Sequence, residues 1–385
     1  MNIAFMIRNV NPTAGGTERV TFSITNNLKN YGYDSFYIFS GKDYDEIPTT
    51  HKLNIRLKNK KLIYHLLCSF LRRNNIKILV VVNQVYQNSL FQKVFVCIKN
   101  TMDIKIVGCL HASPDNWVNK DKFGLVMFKV YLKDLIKELC YSFYNPYKIR
   151  AIGMFNLSDK YLLLSENYKS TFEKVMGIND RTGKLVAIPN PFPFGNVRYD
   201  ASSKRENIVL IVARMDENQK RIGVALKMWR DIEPIYQDWR LVIVGEGKDL
   251  TGYKHIVKKL HLKNVIFKGH SNNVQEFYKK SKIFWMTSIW EGLPMTLIEA
   301  QHYGCICIAF DSFKAVRDVI DNGKNGFYVN CNDCKAFVNV TKQLMQNQSV
   351  IYKMQENIIN NISPKFDIKN IIPMWLSLFE ELKEN

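Results

Sequence analysis

"VAIPNPFPFGN", residues 186–196, interrupts a regular pattern. Pro189, Pro191 and Pro193 fall within five residues. Each fixes its own φ, lacks an N–H and pushes the preceding residue out of the helical region, so the stretch reads as an extended linker. What flanks it decides the fold. Upstream, "NIAFMIR" (2–8), "KILVVVN" (77–83), "KIVGCL" (105–110) and the start of "KYLLLSENYKSTFEKV" (strand 160–164) are short apolar runs. Helical patterns at 17–29, 60–73 and 85–99 lie between them. Such runs suit strands buried on both faces of a parallel sheet. Downstream the alternation restarts. Strands are expected at 207–215, 239–247, 264–269, 282–288 and 305–310, and helices at 221–235, 249–260, 294–303, 349–361 and about 368–383. The chain therefore reads as α/β, with two Rossmann-like doubly wound domains, 1–188 and 189–365. The last stretch, 366–385, reads as a helix able to cross back to the first domain. Ligands of open α/β sheets sit beyond the carboxyl ends of the strands, so a deep cleft between two facing domains is the expected site.

With 385 residues, 46% apolar and 23% charged, the composition is that of a globular protein with a sizeable core. The net charge is +19. Residues 1–190 carry 27 basic against 14 acidic side chains, and residues 191–385 carry 27 against 21. Between Glu46 and Asp103 stand ten basic residues and no acidic one. A field of that sign favours an anionic partner, unless it is only a solvated face. The eight cysteines are scattered, several inside apolar runs where a thiol packs as a small hydrophobe. "CNDC" (331–334) lacks the second pair or nearby His of a zinc site and reads as structural. The start of the chain reads as a strand, not a cleavable leader, and no uncharged apolar run reaches the ~18–20 residues of a membrane span. The expectation is a cytoplasmic protein with reduced thiols.

Five segments carry candidate chemistry. "NPTAGGTERV" joins the first strand to the first helix without the G-x-G-x-x-G fingerprint. Gly15 and Gly16 suit either close backbone approach to a ligand or a tight turn needing φ > 0. "ARMDENQKRIG" places Arg214 and Lys220 on one carboxyl-end loop, where paired cations can neutralise a diphosphate. "VGEGK" (244–248) and "KGHSNNV" (268–274) are weaker signals. The sharpest is "SIWEGLPMTLIEAQHYG" (288–304): a turn with Gly292, Leu293 and Pro294 opens a helix, yet Glu291 and Glu299 bracket its start. Pro suits the first helical position, and a helix N-terminus attracts anions. Carboxylates only accept hydrogen bonds, so their neutral partners are adjacent hydroxyls. The phosphates then belong to the N–H groups near Met295 and Thr296 and to Arg214 and Lys220. The constellation reads as a site for a sugar carrying a charged diphosphate.

"EGLPMTLIEA", with its E-x7-E spacing, resembles the signature of the retaining glycosyltransferases of family four, which have the two-domain GT-B fold. "GGTERV", "IPNPF", "ARMDENQKRIG", "VGEG", "FKGHSNNV" and "DNGKNGFYV" resemble further family segments in the expected order, over nearly the whole chain. The resemblance implies that Glu299 holds the nucleotide ribose and that Glu291 lies at the transferred sugar. It implies that Arg214 and Lys220 bind the diphosphate and that the backbone at Gly16 approaches the phosphates. It also implies that His111, in "GCLHASPDNW", stands at the boundary of donor sugar and acceptor. Arg214 and Lys220 are six apart where five is common in the family, and Lys220 rather than Arg221 is matched. The implied reaction moves a hexose-type sugar from a nucleotide-diphosphate donor to a glycan or lipid-linked acceptor. The acceptor hydroxyl attacks on the face the diphosphate leaves, with no metal or other cofactor.

"FGLVMFKVYLKDLIKELCYSFYNPYK" (123–148) places Lys129, Lys133 and Lys137 on one helix stripe. With the acid-free region 47–102, it suggests peripheral contact with an anionic membrane at the inner face of the cell membrane. An ordinary core helix with a solvated lysine face is the plainer alternative. Two other functions compete: a sugar-nucleotide epimerase on the same fold, and a basic nucleic-acid- or nucleotide-binding protein without catalysis. No recognisable nucleic-acid motif accompanies the charge.

Overall fold

The computed structural model describes residues 1–56, 59–82, 89–114, 146–194, 205–358 and 364–384. The stripe Lys129, Lys133 and Lys137 lies outside them. The chain divides into two compact units, Met1–Pro193 with Ile368–Asn385, and Phe194–Asp367.

The first unit is built on a parallel sheet of β1 (Asn2–Ile7), β2 (Asp34–Phe39), β3 (Lys52–Asn54), β4 (Ile76–Val82), β5 (Lys105–Leu110), β6 (Lys160–Leu163) and β7 (Leu185–Ala187). Their order is β3-β2-β1-β4-β5-β6-β7. Met6 pairs with Ile38 on one side and Val81 on the other. β1 and β4 are covered on both faces, which is why they read as unbroken apolar runs. The helix Lys60–Arg73 is capped by Asn59, whose side chain accepts from the N–H groups of Lys61 and Leu62. It buries Ile63, Leu67, Cys68, Phe70 and Leu71. The helix Ile368–Glu384 belongs to this unit: Trp375 packs on Phe5, and Phe379 on Tyr33.

The second unit contains β8 (Glu206–Val212), β9 (Arg240–Val244), β10 (Val265–Gly269), β11 (Ser281–Met286), β12 (Ile306–Asp311) and β13 (Gly326–Asn330). All are parallel, in the order β10-β9-β8-β11-β12-β13. Its core centres on Trp285, edge-on to Trp229 at 6.0 Å and to Phe337 at 5.2 Å. Both sheets follow the doubly wound order, so each has a switch point where the winding reverses, β1/β4 in the first and β8/β11 in the second.

The structure differs from the sequence reading at several elements. Strands β2, β3, β7 and β13 were not anticipated. Of the helix expected over 221–235 only Ile222–Trp229 forms, and a separate short helix, Glu217–Lys220, precedes it. Arg221 between them is left-handed, at φ 52°. Pro234 disfavours helix at the residue before it, so the pattern stops short of 235. The helix expected at 294–303 runs from Met295 to His302, with Pro294 one residue outside it.

Candidate active site

The switch point of the second sheet brings the loops after β8 and β11 together. After β8 the chain stays laced to the loop after β9. The Ala213 N–H donates to the Val244 carbonyl at 3.0 Å, and the Met215 N–H to the Glu246 carbonyl at 2.8 Å. Asp216 then caps the short turn of helix that carries Gln219 and Lys220, accepting from the Asn218 N–H. Bonds to main-chain acceptors join this turn to the β11 loop. The Ile289 N–H donates to the Gln219 carbonyl at 2.9 Å. The Thr287 hydroxyl donates to the Lys220 carbonyl at 2.7 Å. The Gln219 side-chain amide donates to the Trp290 carbonyl at 3.1 Å.

The charged groups follow from this frame. The Lys220 ammonium pairs with Oε1 of Glu291, and both side chains are largely covered, at 16% and 12% exposure. The Gln219 amide reaches the other oxygen, Oε2, at 3.4 Å. Arg214 is 67% exposed, lies 3.6 Å from the Asp216 carboxylate and donates to Oε1 of Gln219 at 3.2 Å. Lys248 adds a third cation, 3.3 Å from Asp216. Arg221 points elsewhere, its guanidinium donating to the Asn332 side chain. The sequence reading gave Lys220 to a phosphate and Glu291 to a sugar hydroxyl, as separate contacts. Here the two bind each other.

The helix start differs from expectation too. Pro294 sits at φ −78°, ψ 76°, an inverse γ-turn, and the Met295 N–H donates to the Leu293 carbonyl at 2.8 Å. The Leu297 and Ile298 N–H groups donate to the Pro294 carbonyl. The Met295 N–H is thus committed within the turn formed by Gly292, Leu293 and Pro294, and Thr296 carries the first-turn N–H that none of these bonds uses. Glu299 diverges from Glu291. It is 6% exposed and accepts from the Tyr278 hydroxyl at 2.9 Å. Burial and the adjacent Glu299 charge raise the Tyr278 hydroxyl's pKa, keeping it a donor. Tyr303 stacks on Tyr278 at 5.8 Å.

In the first unit, Gly15 and Gly16 follow β1. Neither is left-handed, Gly15 being extended at φ 175°, which removes the tight-turn explanation. A Cβ on Gly15 would lie 2.6 Å from a Glu18 oxygen, whereas Gly16 has open space where one would be. Glu18 is buried, accepts from the Asn9 amide at 2.9 Å and complements the positive end of its own helix. His111 follows β5. Burial lowers its pKa to about 4, so the imidazole is neutral near pH 7. Among the described residues no group of three His, Cys, Asp or Glu is arranged to hold a metal ion. Asp43 and Asp45 have D-x-D spacing, but Asp43 is bound to Lys52 at 2.9 Å. The sequence reading missed Gln219, Asp216, Lys248 and Tyr278. The first three lie in or beside segments already marked for phosphate, while Tyr278 left no local signal.

Two parallel α/β units with these windings define a GT-B glycosyltransferase fold. Residues 198–363 match the family described as glycosyl transferases group 1. An uncharacterized glycosyltransferase of Haemophilus influenzae is 25% identical, over 97% of this chain and 98% of its own length. A Campylobacter jejuni enzyme is 23% identical, over 100% of this chain and 99% of its own length. Its name gives it as an α-1,4-N-acetyl-D-galactosaminyltransferase acting on a glycan joined to undecaprenol diphosphate. The pneumococcal O-GlcNAc transferase GtfA, solved with UDP and GlcNAc, superposes with a TM-score of 0.77 at 12% identity, covering 100% of this chain and 99% of its own. The chain is thus similar to the group 1 glycosyltransferases, with the family match falling in its second unit, and is a transferase enzyme.

Proposed function

We propose that the protein moves a hexose-type sugar, with retention of configuration, from a nucleotide-diphosphate donor to a lipid-linked glycan during surface polysaccharide or glycolipid synthesis. The observation that carries this reading is the Lys220–Glu291 pair, seated beside exposed Arg214 at the switch point of the second sheet. The Arg214 guanidinium and the two remaining Lys220 N–H groups face the leaving diphosphate, with the Thr296 N–H as a third contact. Fixed donors of this kind stabilise negative charge as it builds in the transition state. Glu291 and the turn at Gly292 and Leu293 meet the transferred sugar. Glu299 takes the ribose hydroxyls, partly in exchange for Tyr278. In the first unit, Gly16 has open space beside its backbone and His111 is a neutral imidazole, which suits the phosphate and sugar roles expected of them from the sequence.

Chemically, the acceptor hydroxyl forms a bond to the anomeric carbon on the face from which the diphosphate departs. The bond to the leaving phosphate oxygen breaks, and that oxygen takes the hydroxyl proton. No resident metal is required, because Arg214 and Lys220 supply the positive charge. The Campylobacter relative's named acceptor supports a lipid-linked acceptor here. Peripheral contact with an anionic membrane follows from such an acceptor and from the exposed Lys60, Lys61, Arg72, Arg73 and Lys93.

The test is a panel of UDP-hexoses and UDP-N-acetylhexosamines with an undecaprenyl-diphosphate saccharide, the product anomer read by NMR. An α-linked product from an α-donor is expected. Lys220→Ala and Glu299→Ala should each cost about 1.5–3 kcal/mol of donor use, roughly 10–150-fold, while the fold persists. An inverted anomer overturns retention, and undiminished turnover in both variants overturns the site.

A further inference from the structure

The Glu291 carboxylate is gripped at both oxygens. Lys220 holds Oε1 and the Gln219 amide nitrogen reaches Oε2 at 3.4 Å. An ammonium on a flexible stem is a point charge and fixes no plane, whereas an amide donates in set directions. The Gln219 orientation is itself fixed. Its oxygen accepts from Arg214 at 3.2 Å and its nitrogen donates to the Trp290 carbonyl at 3.1 Å, so a flipped amide would lose both bonds. The contact to Arg214 is exposed and weak in consequence, while the Lys220–Glu291 pair is largely covered. Glu291 is therefore the covered charged group on which the amide acts, with the Trp290 carbonyl holding the amide in place. The two loops do not depend on this side chain to stay joined. The Ile289 N–H bond to the Gln219 carbonyl and the Thr287 hydroxyl bond to the Lys220 carbonyl involve main-chain acceptors that survive its replacement.

We propose that Gln219 is a positioning residue for the transfer: its amide sets the plane of the Glu291 carboxylate against the donor sugar. This rests on the diphosphate-sugar reading of the site. Its signature is a split between ligands with and without the sugar. The experiment compares wild type, Gln219→Leu, Gln219→Glu and Lys220→Ala. Binding of inorganic pyrophosphate and of UDP is measured by calorimetry, and turnover with the UDP-sugar that wild type uses fastest.

In Gln219→Leu, kcat/KM falls about tenfold while affinity for pyrophosphate and UDP stays within roughly twofold of wild type. In Gln219→Glu, the introduced carboxyl donates when protonated and repels Glu291 when charged. Near neutral pH that carboxyl is charged, so turnover falls at least as far as in Gln219→Leu. Unchanged kcat/KM in Gln219→Leu overturns the proposal. So does a parallel loss of pyrophosphate affinity, which marks a residue that only ties the loops together. Lys220→Ala weakens both pyrophosphate binding and turnover. If it does not, or if wild type binds neither pyrophosphate nor UDP, the diphosphate site itself is overturned, whatever Gln219 does.

Discussion

At the scale of single residues, the glycines of "VGEG" show how a motif can be fixed by the loop packed against it. Gly245 has φ 133°, and a Cβ there would lie 2.0 Å from the Ala213 carbonyl oxygen. Gly247 has φ 157°, with the Met215 carbonyl oxygen at 2.4 Å. Both obstacles are backbone, laced in place by the bonds from Ala213 and Met215 to Val244 and Glu246. The sequence marked them only as a weak signal, and their constraint is the close packing of the loop that carries Arg214 and Lys220. Gly245→Ala combines backbone strain with overpacking and should destabilise by about 3 kcal/mol or more. Gly252→Ala is the control. Gly252 lies exposed inside the helix Leu250–Lys259 with nothing near its missing Cβ, so alanine should stabilise by about 0.5–1 kcal/mol. Urea melts of the two variants should move in opposite directions; equal midpoints would refute the steric account. Arg214 and Lys220 were legible because charge on a carboxyl-end loop is a local pattern. The Lys220–Glu291 pair was not, since 71 residues separate its members and only the β8/β11 pairing brings them together.

At the scale of elements, what could be read depended on length and uniformity. The helix 60–73 was read to the residue because its apolar spacing is regular and Asn59 caps it. β2 was missed because Asp34 and Ser35 dilute its four apolar residues, and β3 and β7 because three residues give no period. The helix Ile368–Glu384 was legible despite Pro373 inside it. An interior proline costs about 3 kcal/mol, so packing must outweigh it. The buried stripe of Ile371, Ile372, Trp375, Leu378, Phe379 and Leu382 supplies that packing. Trp375 is 4% exposed and meets both Phe5 of β1 and Phe379. Trp375→Ala should therefore cost about 3–5 kcal/mol, whereas Met374→Ala, at a 39% exposed position one residue away, should change stability by less than about 0.5 kcal/mol. Circular dichroism through a urea titration checks this, and similar midpoints for the two variants would mean that the helix is not part of the first unit's core.

At the scale of the whole molecule, one doubly wound plan is used twice, with different charge. The linker and the restarted alternation made the repetition legible, but strand order appears only in three dimensions. The first half carries most of the excess positive charge, and the structure places part of it on one helix with an unusual outer face. The helix Lys60–Arg73 buries its apolar stripe and exposes Lys60, Lys61, Leu62, Arg72 and Arg73, with no carboxylate among its residues. The helix Ser89–Thr101 packs against it and adds exposed Lys93 and Val96. Each basic residue near an anionic bilayer contributes roughly 1 kcal/mol, a contribution that salt screens, and exposed Leu62 and Val96 offer a small apolar contact. Flotation with phosphatidylglycerol vesicles should carry the protein upward at about 50 mM salt and release it at about 500 mM, while phosphatidylcholine vesicles leave it behind. Replacing both Lys60 and Lys61 by Glu reverses two charges on the exposed face and should cut vesicle binding by at least about tenfold without touching the donor site. Binding that is indifferent to salt or lipid charge would show that the basic face is merely solvated, and the proposed lipid-linked acceptor would then have to be reached without it.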